Sequence, residues 1–111
     1  MERRDYTRYG VRALVDFEWM DEGVPQRGHG ITRDISTKGM FIYSDVEPPE
    51  KADLCVNVFF RDVSPVRTKL SMRATGLVIR LEPATGFGER PGFAILHRSY
   101  ELFDGINAVR D

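Results

Sequence analysis

The feature that most constrains the fold is a period of two. Val11, Ala13, Val15, Phe17 and Trp19 alternate with Arg12, Leu14, Asp16 and Glu18. Successive side chains of an extended chain point to opposite faces, so this run is a strand with one face in a core, and Trp19 belongs to that core. Asp21-Glu22-Gly23 reads as a turn, and Gln26 onward as a returning strand carrying Ile31 and Ile35. Residues 39–43, 54–61 and 66–82 read as further strands, with a loop broken at Pro48-Pro49 and a bulge expected at Gly76. A glycine-rich stretch from Pro83 to Gly92 leads into a sixth strand over 93–97. From Ser99 the period changes. Leu102, Phe103, Ile106 and Val109 stand at helical spacing behind Ser99 as N-cap, which predicts a C-terminal α-helix over 99–110.

Six short antiparallel strands in a chain of 111 residues leave exposed edges unless the sheet closes. The predicted fold is all-β, a small six-stranded antiparallel barrel with a C-terminal α-helix. It forms one domain over 1–111, with a flexible arginine-bearing lead-in at 1–9, the barrel at 10–97 and the helix packed on the barrel or over one end.

Charge narrows the partners. With 16 Lys+Arg against 17 Asp+Glu the net charge is -1, which argues against binding nucleic acid or an anionic membrane through bulk charge. The lysines are Lys38, Lys51 and Lys69; every other cation is an arginine, and Arg3, Arg4, Arg8 and Arg12 crowd the front. Arginine presents a planar fork of donors suited to phosphates, carboxylates and base edges. The single cysteine, Cys55, lies in the apolar run 54–60 and reads as a small buried hydrophobe in a reducing compartment. No apolar stretch is long enough for a leader or a membrane span, so a soluble, cytoplasmic protein is expected.

Catalytic patterns are missing. His29, His97 and Cys55 have no metal-ligand spacing, and no nucleophile elbow occurs. Gly86-Phe87-Gly88 opens like a dinucleotide fingerprint, but the third glycine is misplaced at Gly92 and no helix follows. Gly28-His29-Gly30 reads as a strand bulge. The expectation is a non-enzyme without cofactor or metal.

Two segments carry information. Arg3-Arg4-Asp5-Tyr6-Thr7-Arg8 precedes the first strand and reads either as a frayed terminus or as a strap that closes over an anion. Asp34-Ile35-Ser36-Thr37-Lys38-Gly39 joins the second and third strands. A hairpin turn explains its Asp, Ser and Gly as well as a ligand does, with Gly39 supplying positive φ or a close backbone approach. Together, Arg-x-x-x-Arg before the first strand and Asp-x-Ser-x-x-Gly at the second turn resemble the PilZ domain family. The likeness spans the chain, including the break at Pro48-Pro49 and the strand opening at Gly92-Phe93.

That resemblance implies a six-stranded barrel that binds cyclic di-GMP on its outer surface. Guanine's O6 and N7 suit a bidentate arginine, and its N–H edge suits a carboxylate and a hydroxyl. By resemblance Arg4 and Arg8 clamp guanine and phosphate, Asp34 and Ser36 read the base, and Gly39 lets the turn approach the ligand. Arg3 resembles the extra arginine of members that bind two intercalated ligands, and reads equally as a surface charge. Some relatives place an aromatic on the long fifth strand; here the stretch is Gly76-Leu77-Val78-Ile79-Arg80, so Arg80 either stacks on a base or contacts phosphate, or is salt-bridged. Lys38 either adds a phosphate contact or faces water, and Tyr6 and Tyr9 anchor the strap. The implied role is an adaptor: ordering of the N-terminus signals to a protein effector, from a monomer or weak dimer. Two other readings stand beside it, a PilZ-like interaction module without nucleotide and a small barrel for single-stranded nucleic acid.

Overall fold

The computed structural model describes residues 10–60, 70–84 and 90–104. The strands are β1 Leu14–Asp21, β2 Val24–Ile35, β3 Gly39–Tyr43, β4 Asp53–Phe60, β5 Leu70–Glu82 and β6 Gly92–Asp104. They close in the order β1-β2-β3-β6-β5-β4, with every neighbouring pair antiparallel. The predicted barrel is therefore the observed one.

The alternation of β1 does what the pattern requires. Val15, Phe17 and Trp19 point into the core while Leu14 and Met20 stay exposed. β1 turns into β2 through Glu22 and Gly23, at φ 50° and 81°. Positive φ at both positions is the primed hairpin geometry that matches strand twist, and Gly23 adopts it without a Cβ clash. Leu54, Val56 and Val58 of β4, Met40 and Ile42 of β3, and Phe93 and Ile95 of β6 complete the interior. Each fully buried side chain of this kind contributes roughly 1.5–3 kcal/mol. Phe93 meets Phe17 edge-on at 5.1 Å.

Four expectations change. Gly28 and Gly30 are not a bulge, since the β1–β2 register runs unbroken through them. They make room: a Cβ on Gly28 would lie 2.4 Å from the Phe17 ring, and one on Gly30 2.3 Å from the Tyr43 carbonyl. Cys55 is exposed rather than buried, because its neighbours Leu54 and Val56 take the inward positions of β4. The irregularity at Gly76 is present, but the extra residue lies on the partner strand: Thr75 pairs Ser99 and Gly76 pairs His97, which leaves Arg98 over. Gly76 serves close approach, its Cβ position being 2.8 Å from the Leu96 carbonyl.

The fourth change is the predicted C-terminal helix. Ser99–Asp104 is strand, so the sheet continues well past residue 97. Leu102 and Phe103, half of the helical set, lie in that strand; Ile106 and Val109, the other half, lie outside the described residues. Before the bulge at Arg98, Phe93 and Ile95 face inward; after it, Tyr100 and Leu102 pair with the buried Ala74 and Met72 but are themselves exposed. One inserted residue shifts the phase of the alternation, so β6 does not run as a single period-two pattern from 92 to 104. Residues 105–110 of that predicted helix lie outside the described residues.

Candidate functional site

A second bulge builds the site. Thr32 pairs Ile42 and Asp34 pairs Phe41, so Arg33 is the extra residue on β2. Thr32 itself is buried, accepts a hydrogen bond from the Ala13 N–H at 2.9 Å and donates to the Val11 carbonyl. This pins the chain ahead of β1 beside the bulge. Past Thr32 the bulge re-aims the strand, and Arg33 and Asp34 both come to the outer surface over Phe41.

Phe41 is 2% exposed although it faces outward. The Arg33 guanidinium lies over its ring at 4.0 Å, and the Tyr43 ring meets it edge-on at 5.4 Å. Gly92 makes the space, since a Cβ there would sit 2.5 Å from the Phe41 ring. Arg33 Nε donates to Asp34 Oδ2 at 2.9 Å, and its NH1 stands 4.0 Å from Glu82. Arg80 Nε donates to the other Glu82 oxygen at 2.7 Å. Burial alone would lower the Arg33 pKa. The hydrogen bond and charge of Asp34, helped by Tyr43 and Glu82, more than reverse this and raise it.

Residues 36–39 form the turn. Ser36 N–H donates to the Gly39 carbonyl at 2.8 Å. The Ser36 hydroxyl accepts from the Lys38 and Gly39 N–H groups at 3.1 and 3.2 Å and donates to the Gly39 carbonyl at 3.3 Å. Its hydrogen-bonding capacity is thus spent inside the turn, whose shape it fixes. Gly39 has no positive φ. Its missing Cβ would fall 2.1 Å from the Ile95 carbonyl, so of the two expected roles close backbone approach is the one observed, and the backbone approached is β6. β6 also holds the turn from below: His97 N–H donates to the Lys38 carbonyl at 2.7 Å, and the His97 ring Nδ1 lies 3.4 Å from the Thr37 carbonyl. Burial lowers the His97 pKa, opposed in part by Thr37.

These parts border one shallow cavity of about 70 Å³, lined by Arg33, Asp34, Ser36, Lys38, Gly39 and Arg80 over an apolar floor of Ile79, Ala94 and Leu96. It has room for a few waters, so any larger ligand lies across its mouth on the outer surface. The residues predicted from the second motif, with Arg80 and Lys38, meet here. Arg3, Arg4 and Arg8 lie outside the described residues. Arg33 and Glu82 were not anticipated; the only signal for Arg33 was its place directly before Asp34, because a bulge leaves no mark in composition. A further bulge at Ile79, the extra residue where Val78 pairs Ile95 and Arg80 pairs Ala94, brings an aliphatic side chain to the cavity's lining.

Elsewhere, a second outer cavity beside Asp16, His29, Cys55 and Asn57 is bordered by an exposed hydrogen bond between Asp16 and His29 at 3.0 Å and an exposed ion pair of Glu18 with Arg27 at 3.7 Å. Among the described residues no group of three His, Cys, Asp or Glu could hold a metal, and no helix is long and apolar enough to cross a membrane.

Comparison with known proteins gives two findings. The PilZ domain profile matches residues 2–102. The chain is similar in fold to the Bacillus subtilis inhibitor of motility MotI/DgrA, with a TM-score of 0.68 at 13% identity over 91% of this chain. It spans 45% of that chain's length, so the likeness concerns one domain's fold. No curated protein sequence matches it.

Proposed function

The chain belongs to the PilZ domain family, a family of cyclic di-GMP receptors and adaptors, and from that premise we propose that it binds cyclic di-GMP across the groove between β2, the 36–39 turn and β5. The observation that carries this reading is the convergence of Asp34, Ser36, Gly39 and Arg80 on one outer cavity with an apolar floor.

Each part has a task in the proposal. Ile79, Ala94 and Leu96 accept the flat face of a guanine. Asp34 takes the N–H edge of that base through Oδ1, since Oδ2 is committed to Arg33. Arg80, paired with Glu82, and Lys38 supply the cations that phosphates need. Arg4 and Arg8 close over the ligand from the other side. The anchoring of Val11 and Ala13 to Thr32, one residue from the bulge, supports their reaching it. Arg3 adds a cation for a second, intercalated ligand. The ordered N-terminal segment is then the surface that a protein effector reads, in the cytoplasm, with the chain acting as an adaptor rather than an enzyme.

Calorimetric titration of the wild type and of Arg8→Ala with cyclic di-GMP tests the reading. It expects saturation at two ligands per chain for the wild type and loss of binding on Arg8→Ala. Saturation at one ligand removes the Arg3 role alone, and no heat from the wild type overturns the whole proposal.

A further inference from the structure

We propose that Arg33, acting with Asp34, makes this groove select guanine over adenine. The inference rests on the cyclic di-GMP reading and adds to it a residue outside both motifs.

Arg33 is fixed on three sides. The β2 bulge sets its backbone, Phe41 carries its guanidinium plane at 4.0 Å, and Asp34 takes its Nε hydrogen. Its side chain is 35% exposed and that of Asp34 18%, so the pair is half withdrawn from water with an open outer edge. Arg33 is left with the N–H groups of its two terminal nitrogens, one of them 4.0 Å from Glu82, and Asp34 with Oδ1, which has no partner among the described residues. The edge therefore offers a donor beside an acceptor on a rigid mount.

Guanine's pairing edge offers O6, an acceptor, beside N1–H and N2–H, which are donors. O6 fits Arg33 and N1–H fits Asp34 in one plane. Adenine presents the reverse order, the N6 amino donor beside the N1 acceptor. Against the same edge it sets donor to donor and acceptor to acceptor, and leaves a half-buried charged pair unsatisfied. Discrimination by a correctly paired base contact is typically tenfold or more. A lysine cannot replace the device, because it lacks the planar fork and the flat face that rests on Phe41.

The test measures binding of cyclic di-GMP and cyclic di-AMP to the wild type, Arg33→Ala and Arg33→Lys, with circular dichroism confirming the fold. The wild type is expected to prefer the guanine ligand. Both variants should lose about tenfold or more in affinity for it while adenine-ligand binding stays or improves, so the ratio narrows. Parallel loss of both affinities shows that Arg33 only holds the turn, and overturns the proposal, as does an unchanged ratio. If Arg33→Ala does not fold, Arg33→Lys, which keeps the charge, decides on the same ratio. Failure of the wild type to bind cyclic di-GMP is a separate result: it removes the underlying reading and this inference with it.

Discussion

Two bulges in this barrel each insert one arginine, and they do different work. At Arg33 the extra residue brings two side chains to one face, and the guanidinium settles on a buried aromatic beside a carboxylate. At Arg98 the extra residue re-phases β6, and the guanidinium reaches Asp53 at 2.9 Å with side chains 59% and 74% exposed. Surroundings, and not the bulge, make the first a rigid mount. A flat apolar seat, a partner carboxylate and partial withdrawal from water fix a guanidinium in place, whereas an exposed ion pair leaves it free to move.

The comparison breaks most visibly at Phe41. Phe41→Ala should lose about 3–5 kcal/mol of stability in chemical denaturation, as a fully enclosed ring does, and should weaken cyclic di-GMP binding by unseating Arg33. A loss below about 1 kcal/mol would mean that the ring carries little. Next comes the turn. Ser36→Ala removes the acceptor of two backbone N–H groups and should cost about 1–2 kcal/mol, with ligand affinity falling although the hydroxyl is not needed at the base.

A pH titration sharpens the contrast more gently. The folded chain holds the His97 pKa below its ordinary 6.5. The unfolded chain then takes up a proton that the folded chain refuses, so stability falls as pH drops below 6.5 and levels off once the folded pKa is passed. His97→Gln should flatten that dependence in denaturation midpoints. The smallest effect belongs to Arg98→Ala. The exposed pair with Asp53 contributes about 0–1 kcal/mol, and ligand affinity should stay at the wild-type value.

The same two bulges mark where the sequence stopped being legible. The alternation of β1, the Glu22-Gly23 turn and the bounds of β3 could all be read from residue order, because period and turn chemistry are local. Asp34, Ser36, Gly39 and Arg80 could be singled out, and they meet in one groove. A bulge has no local signature. At Arg98 it broke the alternation of β6, and at Arg33 it concealed the best-seated cation beside the groove. Cys55 was misplaced for a related reason. With Cys55 and Phe59 on its outer face as well as Leu54, Val56 and Val58 inside, β4 is apolar on both faces and its period does not show.

Amide chemical shifts test the central claim most directly, since they locate the ligand without assuming its mode. Titrating isotopically labelled protein with cyclic di-GMP should move Arg33, Asp34, residues 36–39, Ile79, Arg80 and Leu96 most, and leave Arg98 and Glu101 in place. Largest shifts around Asp16, His29 and Cys55, or none at all, would contradict the account.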